Sequence, residues 1–364
     1  MKSVKKKLLF FGYTLQMGGA EKVLVDFLKV LAPEYEIDLV LLQAKGELLK
    51  DVPEGVSVQQ IRNHSFSYAL FRYLPYFRKR KINQIANRKD YDVAIGFLEG
   101  RSATWVADIQ KEIRRIAWIH NDVTKFDIGI PEAEIKASYP QMDEIVVVSE
   151  EAKKNFAEKY QIPEEKMTTL YNLIDEEKIG KLAEVPIPQN NQFTFVNVGK
   201  MRPQKRQDRL IEIASRLKQD GYNFQIQIIG NGSEEEKLKK LAQEKEVMDR
   251  VQFLGLQENP YPYVKQADCF VLTSDFEGFG IAVKEALLLK TPVISTNVTG
   301  VKELLENEKY GTLCKIDTDS VYTAMKNVLD NQEKLTEWKK ALAQYDGKNE
   351  EIIQKLKEII ENKR

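Results

Sequence analysis

The chain has 364 residues, and its 55 basic side chains balance its 55 acidic ones, so the net charge at pH 7 is zero. This length predicts two domains of roughly 150–200 residues each, and the balanced charge excludes a polycation that binds nucleic acid with its whole surface. Two cysteines cannot build a disulfide framework or a zinc site. The longest uncharged stretch, 185–199, is too short to cross a membrane. We therefore expect a soluble, intracellular protein.

Short β-rich runs alternate with amphipathic helical stretches along most of the chain. Several runs, such as 145–148 and 270–272, are continuously apolar, which is typical of strands covered by helices on both faces. Alternating strands and helices predict doubly wound parallel α/β sheets. Strands are predicted at 8–13, 37–42, 91–97, 115–119, 144–149, 168–171, 193–198, 224–229, 251–254, 269–272 and 292–295. Helices are predicted at 20–31, 151–159, 206–219, 234–245 and 281–289.

The two halves of the chain are separated by a run that contains Pro186, Pro188 and several amides, which indicates a linker. We predict a Rossmann-like domain at 1–182, a linker at 183–192, a second Rossmann-like domain at 193–320 and carboxyl-terminal helices at 321–364 that could pack back on the first domain. Open α/β sheets bind ligands beyond the carboxyl ends of their strands, so two facing domains would hold a ligand in a cleft between them.

Adjacent glycines, Gly18 and Gly19, lie between the first strand and the first helix. Glycines at the N-terminus of a helix let backbone N–H groups approach an anion. The competing interpretation is a glycine-rich turn without a ligand. The spacing matches neither a dinucleotide fingerprint nor a P-loop.

Clustered cations follow the strand at 193–198, and Lys200 and Lys205 are the best placed to neutralise a diphosphate. A solvated basic loop is the alternative. A second loop, after the strand at 269–272, carries Glu277 and leads into a helix that carries Glu285. Two carboxylates so placed can hold different hydroxylated parts of one ligand, although a helix N-terminus also favours acids for electrostatic reasons. Backbone N–H groups at the start of this helix, those of Phe279, Gly280 and Ile281, could face the ligand.

The segment Trp118-Ile-His120-Asn-Asp122 ends the strand at 115–119. A histidine at the carboxyl end of a strand would point towards the inferred cleft and could hydrogen-bond a reacting sugar or its phosphate. A structural histidine with satisfied hydrogen bonds is the alternative. His64, the other histidine, lies in a loop-like stretch and is expected to be incidental.

The segment 62–89 contains eight Lys or Arg residues and no acid, with aromatic and aliphatic residues between the charges. Such a composition is typical of a surface that lies on anionic lipid. The alternative places the aromatic rings in the core and the charges in solvent; nothing else supports nucleic acid. The expected membrane patch consists of Arg72, Arg78, Lys79, Arg80 and Lys81.

The chain carries two Asp-x-Asp sequences, Asp90–Asp92 and Asp317–Asp319, which hold a metal in some sugar transferases. Chance explains both, because the first abuts a predicted buried strand and the second follows the last one. No cluster of cysteine and histidine offers a metal site. We therefore expect no metal and no other cofactor.

Taken in order, these motifs resemble the retaining glycosyltransferases of family 4, which have the GT-B fold of two facing Rossmann-like domains. The resemblance covers residues 7–316. Its most specific element is the Glu277…Glu285 pair, which matches the E-x7-E motif, and the glycines at 18–19 match the amino-terminal loop. At position 200 the chain has a lysine where the family usually has an arginine. The lysine keeps the positive charge but lacks the bidentate guanidinium. Gly230 and the run 251–255 resemble nucleotide-binding loops, and 118–122 resembles a segment of bacterial polysaccharide enzymes.

The resemblance implies a role for each matched residue. Glu285 would bind the ribose, Glu277 and the amides of Phe279–Ile281 the donor sugar, and Lys200 and Lys205 the diphosphate. Leu256 would lie beside the base, Gly19 would approach from the other domain, and His120 would contact the transferred sugar. The resemblance further implies same-face attack, in which a donor phosphate oxygen takes the acceptor proton and preorganised cations replace a metal.

The resemblance favours a uridine diphosphate sugar as donor. With the segment 62–89, it favours a lipid-linked saccharide acceptor in capsule, exopolysaccharide or teichoic-type synthesis, on the inner face of the cell membrane. A sugar-nucleotide epimerase of the same fold and a non-catalytic sugar-nucleotide-binding protein remain alternatives. The epimerase would need its own acids and histidines in the cleft, and the only histidine that the chain offers there is His120. A nicotinamide dehydrogenase would need the absent dinucleotide fingerprint.

Overall fold

A computed structural model describes residues 5–61, 75–125 and 128–362, and the chain divides into two compact units. Unit 1 comprises Met1–Ile174 together with Lys348–Arg364, and unit 2 comprises Asp175–Gly347. The division differs from the predicted linker at 183–192, because the helix Glu176–Ala183 belongs to unit 2. The Leu182 carbonyl, near the end of that helix, accepts a hydrogen bond from Asn259 Nδ2 at 2.8 Å.

The described part of unit 1 forms a parallel sheet of seven strands in the order β3-β2-β1-β4-β5-β6-β7. The strands are β1 Lys7–Gly12, β2 Glu36–Leu41, β3 Val56–Gln60, β4 Val93–Phe97, β5 Arg114–Ile119, β6 Glu144–Val147 and β7 Met167–Thr169. The helices are α1 Gly19–Leu31, α2 Pro75–Ala86, α3 Arg101–Ala107, α4 Glu132–Ser138 and α5 Glu150–Tyr160. After β3 the chain returns to the other side of β1, so the sheet has its switch point between β1 and β4.

The described part of unit 2 repeats this plan with six parallel strands in the order β10-β9-β8-β11-β12-β13. The strands are β8 Phe193–Val198, β9 Phe224–Ile229, β10 Val251–Gly255, β11 Cys269–Leu272, β12 Val293–Thr296 and β13 Gly311–Cys314. The helices are α6 Glu176–Ala183, α7 Gln207–Gln219, α8 Glu235–Glu244, α9 Tyr261–Gln266, α10 Ile281–Leu288, α11 Val301–Leu304, α12 Thr318–Asp330 and α13 Glu333–Leu342. The switch point of this sheet lies between β8 and β11.

Each sheet is covered by helices whose apolar stripes face it. In α7, for example, Leu210, Ala214 and Leu217 recur at helical spacing and are all fully buried. The central strands are correspondingly apolar: Leu8–Phe11 of β1 and the whole of β11 have no appreciable exposure. This burial on both faces explains the continuous apolar runs in the sequence. Within the described ranges, no helix is both long enough and apolar enough to cross a bilayer.

The last helix, α14 Asn349–Glu361, belongs to unit 1, whereas α12 and α13 belong to unit 2. It buries Ile352, Leu356 and Ile360. Polar contacts add to this packing: Lys6 Nζ lies 2.8 Å from a Glu361 carboxylate oxygen, and Arg114 Nη2 donates to the Ile359 carbonyl at 3.1 Å. The carboxyl-terminal stretch 321–364 is therefore split between the two units.

Strands β3 and β13 and several helices, α2 among them, were not among the predicted elements. Strands β3 and β13 lie at sheet edges and are only partly buried, so their sequences lack the long apolar runs of central strands. Helix α2 has a polar composition that carries little helical pattern. The remaining strands lie where the sequence predicts them, to within two residues at each end.

Candidate functional site

Two loops meet at the carboxyl ends of β8 and β11, the neighbouring strands at the switch point of unit 2. Several hydrogen bonds join the loops. The Asp275 N–H donates to the Gln204 carbonyl at 2.9 Å, and Gln204 Nε2 donates to the Phe276 carbonyl at 2.7 Å. Thr273 Oγ1 donates to the Lys205 carbonyl at 2.9 Å. The loops therefore form one polar surface at the edge where open α/β sheets bind their ligands.

An ion pair lies at the centre of this surface. Lys205 Nζ is 2.6 Å from Glu277 Oε1, and Ser274 Oγ donates to the same oxygen at 2.6 Å. Glu277 is buried and Lys205 is partly buried. The structure thus brings the predicted diphosphate-binding cation into contact with the predicted sugar-binding carboxylate. Lys200, the other predicted cation, is exposed on the same loop.

A third loop, which begins at Gly230 after β9, packs against the Lys200 loop. The Met201 N–H donates to the Asn231 carbonyl at 2.8 Å. Gly230 has φ of 139°, and a Cβ on it would lie 2.0 Å from the Gly199 carbonyl oxygen. Only glycine allows this approach. Gly230 therefore shapes the surface beside Lys200 by its backbone alone.

Helix α10 begins beside Glu277 and carries the second carboxylate. Gly280 precedes the helix with φ of 82°. The Val283 N–H donates to the Gly280 carbonyl at 2.9 Å, so the N–H groups of Ile281 and Ala282, at the start of the first turn, are those that suit an anionic ligand. Glu285 lies one turn further and is buried, and Tyr261 Oη donates to its Oε1 at 3.1 Å. Phe279, which precedes Gly280, is buried.

Leu256 follows the last residue of β10 and is 60% exposed. An exposed leucine next to a polar surface offers an apolar contact for a planar ring. Tyr261 was not identified by the sequence reasoning. The signal that could have revealed it is weak, because a tyrosine in a short helix has no motif of its own, and only the contact with Glu285 indicates a role for it.

The predicted residues Gly18, Gly19 and His120 belong to unit 1. Gly18 precedes α1 in an extended conformation, and a Cβ on it would lie 2.2 Å from a carboxylate oxygen of Glu21. The side chain of Glu21 therefore folds over the glycine at the first turn of α1. The Met17 N–H donates to Glu47 Oε2 at 2.9 Å, so the carboxylates of Glu21 and Glu47 both lie beside this loop.

His120 directly follows β5 and is 5% exposed. Its ring is stacked on Trp118 with centroids 5.8 Å apart, and lies 4.5 Å from the ring of Phe97. Burial lowers the pKa of His120 to about 3, so the imidazole is neutral near pH 7. Both ring nitrogens are without a hydrogen-bond partner among the described residues. The alternative of a structural histidine with satisfied hydrogen bonds does not describe this ring.

A buried acid beside His120 was also not identified from the sequence. Glu99 follows β4 and accepts a hydrogen bond from the His120 backbone N–H at 2.8 Å. Its other carboxylate oxygen accepts from Asn121 Nδ2. An acid and a glycine directly after an apolar strand, as in Glu99-Gly100, could have drawn attention to this position.

The membrane patch requires a correction. Arg78 is buried, with its Nε 2.6 Å from Asp108 Oδ2, so it anchors α2 to unit 1 and cannot face a lipid surface. Lys79 and Arg80 are exposed and Lys81 is partly exposed, whereas Arg72 lies outside the described residues. Two aromatic side chains join the exposed cations: Tyr76 is 69% exposed and Phe77 is 45% exposed.

The two Asp-x-Asp sequences have structural roles. Asp92 accepts a hydrogen bond from the Lys7 backbone N–H at 2.8 Å. Asp317 caps α12 by accepting from the Ser320 N–H at 2.7 Å, and Asp319 lies 2.6 Å from Arg216 Nη1. In the part of the chain that the structure describes, no group of three or more His, Cys, Asp or Glu side chains could hold a metal ion.

Two family models match the chain, one for each unit. The model described as Glycosyltransferase Family 4 matches residues 17–178, and the model described as Glycosyl transferases group 1 matches residues 180–345. The predicted nucleotide-binding residues of unit 2 lie within the second match. Gly18, Gly19 and His120 lie within the first.

Curated relatives and solved structures cover most of the chain. The chain is 27% identical to N-acetylgalactosamine-N,N'-diacetylbacillosaminyl-diphospho-undecaprenol 4-alpha-N-acetylgalactosaminyltransferase of Campylobacter jejuni, over 90% of this chain and 91% of the relative. It is 24% identical to the capsular polysaccharide biosynthesis glycosyltransferase CapH of Staphylococcus aureus, over 84% of each. The fold is similar to that of Anabaena Alr3699/HepE in complex with UDP, with a TM-score of 0.77 and 19% identity over 98% of this chain and all of that one.

Proposed function

Because the chain belongs to the family 4 glycosyltransferases and has the GT-B fold, we propose that it transfers a sugar from a uridine diphosphate sugar to a lipid-linked saccharide, with retention and without a metal. The observation that carries this proposal is the contact between Lys205 and Glu277 at the switch point of unit 2. A cation beside a carboxylate suits a ligand that has an anionic diphosphate next to a hydroxylated sugar.

The surface of unit 2 supports an assignment for each part of the donor. Lys200 and Lys205 are assigned to the diphosphate and Glu277 to the donor sugar. Glu285, which Tyr261 orients, is assigned to the ribose. Leu256 and Gly230 are assigned to the surface that receives the base. Uracil is proposed because the similar Anabaena protein was solved with UDP.

The proposed chemistry needs no covalent intermediate. The acceptor hydroxyl oxygen forms a bond to the anomeric carbon on the face from which the diphosphate leaves. The bond between that carbon and the phosphate oxygen breaks, and a donor phosphate oxygen takes the acceptor proton. Negative charge grows on the leaving diphosphate, where Lys200, Lys205 and the first N–H groups of α10 stabilise it. His120, which is neutral, is assigned to a hydrogen bond with the transferred sugar.

The lipid-linked acceptor is supported by the relatives and by one face of α2. The name of the Campylobacter relative includes a diphospho-undecaprenol acceptor, and that of the Staphylococcus relative includes capsular polysaccharide. We define the α2 surface as Tyr76, Phe77, Lys79, Arg80 and Lys81. The segment 62–89, which contains these cations, has no acidic residue in its own sequence. Each basic residue near an anionic leaflet contributes about 1 kcal/mol to binding, so the proposed location is the inner face of the cell membrane.

A binding and product assay tests the proposed donor and stereochemistry. Thermal shifts are measured with UDP, GDP, ADP and NAD, each with magnesium and with EDTA, because a ligand that binds only the folded state raises its stability. A shift with UDP in EDTA, followed by an α-linked product from an α-linked UDP-sugar in the NMR spectrum, is expected. Interconversion of the sugar without transfer would instead identify an epimerase, and UDP binding without turnover a binding protein.

Liposome co-sedimentation tests the α2 surface. Vesicles with 30% anionic lipid are expected to retain the wild-type chain, in a manner that added salt weakens. The triple change Lys79→Ser, Arg80→Ser and Lys81→Ser is expected to release it. The control changes Lys237, Lys240 and Lys245 to serine around α8 of unit 2, where the chain also carries acids. Equal retention of both variants would contradict the assignment of this surface.

A further inference from the structure

We propose that Glu99 is a positioning residue that holds His120 and Asn121 in the geometry needed for sugar transfer. The inference rests on the proposed function, because it gives Glu99 a role in that reaction. Its basis is a set of contacts at the carboxyl ends of β4 and β5, which are neighbouring strands of unit 1.

Glu99 contacts the two residues that follow β5. One carboxylate oxygen accepts from the His120 backbone N–H at 2.8 Å, and the other accepts from Asn121 Nδ2. Hydrogen bonds to an ionised acceptor are stronger than neutral ones. The carboxylate thus fixes the main chain of His120 and the side chain of Asn121 at the same time.

The backbone around Glu99 is shaped to present this carboxylate. Leu98 has φ of 121°, a strained value for a residue with a side chain, and Gly100 has φ of 85°. Two tyrosines fix the turn: Tyr13 Oη donates to the Glu99 carbonyl at 3.0 Å, and the Gly100 N–H donates to Tyr139 Oη at 3.0 Å. Strain of this kind persists where the surroundings impose it, and it is concentrated at functional sites.

Because Glu99 is buried, its carboxylate needs hydrogen-bond donors to offset the loss of hydration. The residue is 6% exposed, and a carboxylate buried without donors would cost several kcal/mol. Both oxygens face N–H donors, so an acceptor-only group is required. Glutamine would turn an NH₂ group towards one of the two donors, and aspartate would withdraw the carboxylate by one methylene.

The position of the His120 ring is what the carboxylate controls. The ring contacts that of Phe97 and is nearly parallel to that of Trp118, and its two nitrogens have no hydrogen-bond partner among the described residues. A neutral imidazole with two unpartnered nitrogens has one donor and one acceptor for further hydrogen bonds. Phe97 ends β4, two residues before Glu99, so one turn supplies both the wall of the ring and the carboxylate that holds its backbone.

The test compares Glu99→Gln with a matched variant of another buried carboxylate. Glu144 is buried at the opposite end of the same sheet, where its Oε1 accepts from Thr168 Oγ1 at 2.7 Å, so Glu144→Gln is the control. We expect Glu99→Gln to lower kcat by roughly 10–100-fold with less than about a threefold change in the donor KM, since a small misplacement costs this much. Under conditions in which the Glu144→Gln variant is folded, its kcat is expected to equal that of the wild type.

A readout independent of activity uses the fact that the chain has two histidines. Imidazole ¹⁵N–¹³C spectra, assigned with His64→Ala, are expected to show shifted His120 signals in Glu99→Gln and unchanged ones in Glu144→Gln. Shifted signals in a chain without transferase activity would support the positioning and overturn only the proposed function. Wild-type kcat together with unshifted His120 signals in a folded Glu99→Gln variant would overturn the inference, as would an equal kcat loss in both variants.

Discussion

The ion pair between Lys205 and Glu277 joins residues that are 72 positions apart in sequence. Each was identified from its own motif, and adjacent strands of unit 2 place the two motifs side by side. Their contact gives the carboxylate a defined position through Ser274 and Lys205. It therefore supports a role for Glu277 in orienting the donor sugar, beyond the favourable electrostatics of an acid near a helix N-terminus.

Glu277→Gln tests this role. The change keeps the size of the side chain and removes its charge, so we expect a stable chain whose kcat falls by roughly 100-fold, the magnitude associated with a lost preorganised contact. The fall in kcat is measured by steady-state kinetics, with the sugar donor whose nucleotide gives the largest thermal shift. Glu236→Gln, at an exposed position in the first turn of α8, serves as the control. Wild-type turnover in Glu277→Gln would refute the assignment.

His120 predicts a pH dependence of stability. Its pKa is lowered from 6.5 to about 3 by burial, so between these values the unfolded chain binds the additional proton. The contribution of neutral His120 to the free energy of unfolding is complete above pH 6.5 and is lost progressively as the pH falls towards 3. Between pH 7 and pH 5 the loss is about 2 kcal/mol.

Urea unfolding of the wild type and of His120→Phe at pH 7 and pH 5 measures this contribution. The variant, which cannot titrate at this position, is expected to lose about 2 kcal/mol less than the wild type on acidification. His64→Ala controls for the second histidine. Identical pH dependence in the wild type and His120→Phe would show that the ring is not buried in its neutral form.

Helix α2 illustrates how one element can have two faces of opposite character. Its inner face carries Arg78, which is 7% exposed and pairs with Asp108. Its outer face carries Tyr76, Phe77 and the exposed cations. The basic, aromatic composition of 62–89 was interpreted as one lipid-facing patch, but a helix turns every third or fourth residue inward, and Arg78 is one of these.

Arg78→Met is expected to destabilise unit 1 by about 3–5 kcal/mol, because it leaves the buried Asp108 carboxylate without its partner. Arg80→Met, on the outer face of the same helix, is expected to change the stability by less than about 0.5 kcal/mol. Chemical denaturation of both variants provides the comparison. Equal stability of the two would mean that Arg78 is not the anchor of α2.

The conformation of the Gly230 loop also depends on the loop packed against it. Gly230→Ala is expected to cost more than about 1 kcal/mol and to weaken UDP binding, since the new Cβ would collide with the Gly199 carbonyl. Gly180→Ala in α6 is the control, because nothing lies within 4 Å of its position. That change is expected to stabilise the helix by about 0.5–1 kcal/mol. Thermal unfolding with and without UDP distinguishes the two, and unaltered UDP binding in Gly230→Ala would count against the loop.

At the scale of the whole molecule, the chain returns to unit 1 through α14 after completing unit 2. Leu356→Ala in this helix is expected to destabilise unit 1 by about 2–5 kcal/mol, the range for a large core side chain cut to alanine. Lys355→Ala, which is exposed, is expected to stay within about 0.5 kcal/mol of the wild type. Hydrogen exchange at β1 and β5 reports on unit 1. Unchanged exchange in Leu356→Ala would show that α14 contributes little to it.

The fold class and family were predicted from the sequence, and the sheet topology and the family matches confirm them. The reason is physical: strands buried on both faces must be continuously apolar, and parallel sheets require intervening helices. Strands β8, β9 and β11 were accordingly predicted to the residue. Strands β3 and β13 were not predicted, because both lie at sheet edges, are only partly buried and carry polar residues that make their sequences resemble loops.

The amino-acid pattern alone thus specified the alternation of elements, the family and the motifs of unit 2, since each depends on residues that are close in sequence. The tertiary structure decided the division at Ile174, the burial of Arg78, and the contacts of Glu99 with His120 and of Tyr261 with Glu285. These depend on the order of strands in the sheets and on which face of a helix packs inward. Such contacts join residues far apart in the chain, and no local pattern encodes their distance.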